Sequence, residues 1–230
     1  PDTTVTIAAV GDIMMYDEQL DAARQDDGTY DFTSSFAAVS GSTVSADLTV
    51  GNLELNFCGE PYSGKPDFRA PESLAKTLSS IGFDVLQTAN TYSIQNGLSG
   101  LQSTIRYLDA AGLSHVGTYA AQDDKTSLGG VLLKNVNGVK IAFIAYTKGL
   151  NYLTLPEGEE YAVDVLYTDY ASDFNKINTD AIVESVNAAK ALQPDVIVAM
   201  LHWGSESDSA VTDSQKKIKN LLFENGVDAI

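Results

Sequence analysis

The sequence predicts an α/β fold with mixed sheets, and three observations carry that expectation. Amphipathic stretches that stop at Gly or Pro and run into short apolar segments recur in "ESLAKTLSSIGFDVLQT", "STIRYLDAAGLSHVG", "AIVESVNAAKALQPDVIVAML" and "SQKKIKNLLFENGVDAI". Helix-stop-strand units of this kind are crossovers that feed parallel strands. The runs "GGVLLKNV" and "VKIAFIAY" are joined by Asn137 and Gly138, a pair that favours a two-residue hairpin turn, so one antiparallel pair joins the parallel ones. Finally, 230 residues with 44% hydrophobic content fill a sizeable core, and without a linker-like composition shift a single domain over 1–230 is expected.

The elements follow in order. "VTIAAV" at 5–10 and "DLTVGNL" at 47–53 read as strands. Residues 59–71 carry Gly, Pro and Tyr without periodicity and are expected to run over the surface. Pro71 suits the first turn of the next helix. Gly82, Gly112 and Gly226 can take the left-handed conformation past a helix end, and Pro194 cannot continue one. Residues 147–171 are again aperiodic and read as a surface excursion. Thr212 and Gln215 have the spacing of a capping box for the last helix. The chain stops at "NGVDAI", inside a strand-like run, so the domain is expected to be incomplete at its C-terminal end.

Composition narrows the function. Formal charge is -17, from 31 acidic against 14 basic residues. Such a surface repels phosphate backbones and anionic headgroups, which excludes nucleic acid as a partner and argues against long-range attraction of any polyanion. The sequence contains no apolar run of about 18 residues, so direct membrane insertion by this domain is not expected. Cys58 has no second cysteine to pair with and reads as a small packing residue.

Side chains able to do chemistry cluster at the strand ends. Asp12 closes "VTIAAVGD", Asn52 and Glu54 close "DLTVGNLE", Asn90 closes "FDVLQTAN", and His202, Trp203 and Glu206 close "DVIVAMLHWGSE". Carboxyl ends of strands in open α/β sheets are where ligands bind. Asp, Glu, Asn and His together supply the oxygen and nitrogen donors of Mn, Mg, Fe or Zn sites, and two-metal centres use such sets to activate water. Each residue also has a structural reading: Asp12 as a helix cap, Asn52 and Asn90 as turn formers, His115 as a packed histidine, and the tyrosines of 146–170 as anchors of the core edge. "GDIMMYD" lacks the Lys and spacing of a phosphate loop, and no G-x-S-x-G elbow is present.

The motifs "AAVGDIMM", "ADLTVGNLE", "FRAPESLAKTLSSIGFDVLQTAN", "GLSGLQSTIRYLDAAGLSHVGTY", "IAFIAYTKGLN" and "LHWGSE", in this order, resemble the CapA family of bacterial poly-gamma-glutamate capsule synthesis proteins. The resemblance implies a four-layer αββα metallophosphatase-like sandwich with mixed sheets. It also implies a place at the extracellular face of the bacterial membrane or cell surface, with an anchor outside this domain. Partners would be a capsule polymer or other capsule-synthesis proteins. Carried over residue by residue, Asp12, Glu54, Asn90 and His202 become ligands of a divalent metal, Glu206 the catalytic carboxylate, and Asn52 and Trp203 substrate-binding positions.

Departures from the family pattern are equally specific. Asn90, Thr91 and Tyr92 stand where many relatives read Asn-Asn-His, Tyr16 stands near a frequent histidine, Gln95 replaces an Asp, and Lys148 replaces a Tyr. A Gly-x-His-Pro-His element of the family is expected to follow "VDAI". The preferred reading is a capsule-biosynthesis protein with a degenerate metallophosphatase-like site and unproven catalysis. The alternative is a metal-dependent hydrolase of a phosphoester or of an amide in a surface polymer, in which a lost general acid would cost about two to four orders of magnitude in rate.

Overall fold

A computed structural model describes residues 3–207 and 209–230. Its contacts group the chain into two compact units, one formed by Thr4–Thr88 and Tyr92–His115, the other containing Ala89–Thr91 and Val116–Ile230.

In the first unit the order is β1 (Ile7–Ile13), α1 (Asp17–Ala23), α2 (Ser40–Ser45), β2 (Leu48–Leu53), α3 (Ser73–Ser80), β3 (Val85–Gln87) and α4 (Gly97–Ala110), followed by β4 (Ser114–Val116), whose last residue is grouped with the second unit. The sheet order is β1-β2-β3-β4, and β2 pairs in parallel with both β1 and β3. Every residue of β2 is buried, as a central parallel strand requires. Gly51 is needed there, because a Cβ would stand 2.9 Å from the Phe83 ring. The core of this unit gathers Phe32, Phe57, Phe68, Leu74, Leu78, Leu86 and Leu108.

The second unit contains α5 (Gln122–Ser127), β5 (Leu132–Val136), β6 (Val139–Thr147), α6 (Thr179–Ala191), β7 (Val196–His202) and α7 (Asp213–Asn225). β5 and β6 are antiparallel and β6 and β7 parallel, so this sheet is mixed, as the sequence predicts. Asn137 and Gly138 both take positive φ, 54° and 88°, the geometry that makes this dipeptide a hairpin turn. At α7, the Gln215 amide donates to Thr212 Oγ1 at 3.1 Å and the Thr212 amide to Gln215 Oε1 at 2.8 Å, completing the capping box. Gly226 ends that helix at φ 103°, its amide reaching the carbonyls of Leu222 and Phe223. Beyond it Ala229 bridges Val198 in parallel, so "VDAI" does add to the edge of β7. Tyr146, Ile182, Val186, Ile197, Ile218 and Leu222 form the second core.

Three expectations change. Residues 59–71 and 147–171 are not mere surface excursions: Phe68, Ala70, Leu150, Val163 and Leu166 are buried. Isolated bridges hold these segments, Asn56 with Arg69, Thr118 with Val163, and Thr147 with Val165. Single bridges impose no two-residue alternation, which is why no period is visible in the sequence. Pro71 lies ahead of α3 rather than inside it, and its carbonyl accepts from the Leu74 amide at 3.1 Å. Asp164 is buried where a loop was expected. Lys125 Nζ stands 2.7 Å from its Oδ1, the Tyr119 hydroxyl donates to Oδ2 at 2.6 Å, and burial pushes the carboxyl upward in pKa against the pull of the ammonium.

Candidate functional site

Within the first unit, three predicted residues meet. Asp12 lies inside β1, not past its end, and is exposed after an irregularity in the β1–β2 register between Ala9 and Asp12. That irregularity sets Asp12 opposite Asn52, a device that re-aims a side chain beside a site. Asn52 is the penultimate residue of β2 and Glu54 the first beyond it; both are buried. The Glu54 amide donates to the Ile13 carbonyl at 3.0 Å, which fixes its backbone past the strand. The Asn52 side-chain amide donates to Asp12 Oδ1 at 2.7 Å and to Glu54 Oε2 at 3.3 Å. One neutral donor therefore draws two carboxylates together, concentrating negative charge that a cation relieves.

Within the second unit, Ala89–Thr91 belong with β5, β6 and β7. Asn90 is 1% exposed. His202 is the last residue of β7, in register with Thr147 of β6, and half-buried. Thr91 Oγ1 lies 3.0 Å from His202 Nε2; a histidine that donates Nε2–H to this hydroxyl keeps its lone pair at Nδ1, and such a partner fixes the tautomer of a metal-ligating ring. Lys148 directly follows β6. Its amide donates to the His202 carbonyl at 2.8 Å and its Nζ to the Gly204 carbonyl at 2.8 Å, pinning the turn that carries Trp203 and Glu206. Trp203 is half-buried against the second core and Glu206 is exposed. His115 stands apart in the first unit, with Nε2 3.8 Å from Asp109 Oδ1, in keeping with its structural reading.

Two departures from the family pattern share one cause. The Tyr16 ring meets Phe68 edge-on at 5.2 Å, and Tyr92 packs on the same Phe68 at 4.5 Å. Where the resemblance implies histidines, this chain has an aromatic cluster. Sequence reasoning gave no role to two other residues. Thr91 was visible as the neighbour of Asn90, and Lys148 as the residue after a strand whose partner strand ends in His202. As for ligands, Asp12 and Glu54 offer carboxylate oxygens and His202 an imidazole nitrogen. This donor chemistry fits a divalent ion such as Mn, Fe or Zn.

The profile of the family described as bacterial capsule synthesis protein PGA_cap matches residues 6–230. The chain is 25% identical over 235 residues to the capsule biosynthesis protein CapA of Bacillus anthracis, covering 98% of this chain and 53% of that protein. It is 24% identical over 241 residues to the PGA biosynthesis protein CapA of Bacillus subtilis (strain 168), covering 100% and 57%. The chain thus spans about half the length of the curated relatives it matches. Among solved structures, a candidate 5′-nucleotidase from Staphylococcus aureus, crystallised with alpha-ketoglutarate, aligns with TM-score 0.57 at 14% identity, covering 97% of this chain and 43% of that one. The calcineurin-like phosphoesterase YfkN from Bacillus subtilis aligns with TM-score 0.51 at 17% identity, covering 98% and 70%. The fold is therefore metallophosphatase-like. Membership in a capsule synthesis family implies association with the cell envelope. Among the described residues no helix is long and apolar enough to cross a membrane. With its family matched from residue 6 to residue 230, this chain belongs to the bacterial capsule synthesis (PGA_cap) family.

Proposed function

We propose that this chain handles a capsule polymer, poly-gamma-glutamate in the family's pattern, at the extracellular face of the bacterial envelope. It does so through one divalent ion held by Asp12, Glu54, Asn90 and His202. The observation that carries this reading is the Asn52 amide bridging Asp12 and Glu54. Such an ion, held by these residues, would supply Lewis acidity toward a carboxylate or phosphoryl oxygen. The chain's own residues do the rest: Asn52 orients the two carboxylates, Thr91 orients the His202 ring, and Lys148 holds the turn after β7. Tyr16 and Tyr92, closed on Phe68, support one ion in preference to the two-metal arrangement of phosphatases.

A net charge of -17 repels a polyanion at long range, and a bridging cation offsets that repulsion when an anionic polymer binds. The expected result is that purified poly-gamma-glutamate is retained on immobilised protein in the presence of Mn and released by a chelator. Retention indifferent to metal, or no retention, contradicts the proposal. The second reading, hydrolysis, rests on the exposed carboxylate of Glu206, which lies on the turn pinned by Lys148. It predicts that the same polymer shortens with time and that Glu206→Gln stops the shortening.

A further inference from the structure

Lys148 is out of keeping with its surroundings. The chain carries 31 acidic residues against 14 basic ones, yet among the described residues no carboxylate forms an ion pair with this partly buried lysine. An ammonium has three N–H donors, and the Gly204 carbonyl takes one of them. The Phe174 ring lies beneath it, 4.8 Å from Nζ to centroid, which favours the cation without neutralising it. A partly desolvated charge with no counter-charge is costly unless a ligand supplies one.

The surroundings are built around this group. Phe174 is packed between Tyr167, at 6.0 Å, and Tyr152, at 6.1 Å. Tyr152 is 71% exposed, so the aromatic stack runs from the core to solvent. Asn151, Tyr152 and Phe174 all take positive φ, at 53°, 61° and 55°. Non-glycine residues seldom adopt this conformation, and such strain concentrates at ligand clamps. Gly149 admits the close approach: a Cβ there would stand 2.7 Å from the Phe174 ring and 2.8 Å from the Tyr170 carbonyl oxygen.

We infer that Lys148, on its Phe174 platform and beside the exposed Tyr152 ring, is the subsite for an oxyanion of the ligand, a carboxylate or a phosphate. The subsite sits beside His202 because β6 and β7 run parallel and in register to Thr147 and His202. The identity of the ligand rests on the polymer-handling reading; the subsite itself does not depend on the metal. Its role would be to anchor one acidic group of a chain while a neighbouring group reaches the ion.

The test is calorimetric titration of the protein with glutarate and, separately, with inorganic phosphate, first metal-free and then with Mn. Glutarate is expected to bind the wild type, Lys148→Met to weaken it by about tenfold or more, and Lys148→Arg to stay within about threefold. Metal content is expected to be equal in all three proteins. If phosphate alone shows the Lys148 dependence, the oxyanion is a phosphoryl group and the subsite stands. Equal binding by wild type and Lys148→Met, or no binding of either anion to the wild type, overturns the inference. Should Lys148→Met not fold, Lys148→Gln, which keeps an N–H donor without the charge, is read in its place. A Lys148 dependence in metal-free protein separates failure of this subsite from failure of the metal reading.

Discussion

Phe68→Ala is expected to lower the free energy of unfolding by about 3–5 kcal/mol, measured by urea denaturation. Phe68 is 1% exposed and lies in the core of the first unit. Two further rings, Tyr16 and Tyr92, lean on it, and aromatic pairs of this geometry add about 0.5–1.5 kcal/mol beyond area burial. The backbone bonds at this residue, from the Asn56 amide to its carbonyl and from its amide to Gly64, survive the substitution, so the loss reports the ring. Phe68 sits at φ 46°, where alanine is strained as phenylalanine is and gains nothing over it. A loss below about 1 kcal/mol would mean that the aromatic cluster is an accident of the surface and not a replacement for a metal-binding face.

The second large effect concerns Asn52→Leu, a change that keeps the branching at Cγ and removes the amide bridging Asp12 and Glu54. Loss of such an orienting partner typically weakens metal affinity about 10–100-fold. The measurement is competition for Mn against a chelating dye, with urea denaturation alongside to show that the variant still folds. Unchanged Mn affinity would mean that Asn52 does not orient the ligands.

Much of this molecule is legible in its sequence where chemistry is local. Asn137 and Gly138 require a turn with two positive φ values and are found with them. Thr212, Gln215 and Gly226 bracket α7 because capping bonds and the left-handed stop involve neighbours in the chain. The placement of three candidate residues was legible for the same reason: Glu54, Asn90 and His202 follow or end apolar strands, where parallel sheets present ligands. What escaped the sequence depends on distant partners. Asp12 was expected past its strand and lies within it, because a register irregularity against β2 carries the strand further. Residues 59–71 and 147–171 pack through isolated bridges that leave no period. The partnership of Thr91 with His202 spans 111 positions, and that of Lys148 with Gly204 spans 56; neither separation leaves a mark in a local pattern.

Asp12, Glu54, Asn90 and His202 are proposed to serve one divalent ion, and elemental analysis reads that out. The protein is purified without chelator and its metal content compared with that of Asp12→Ala. About one equivalent of Mn, Fe or Zn is expected in the wild type and none in the variant, with folding intact because Asp12 is exposed. A wild-type protein that is folded and metal-free, and remains so after incubation with these ions, would contradict it.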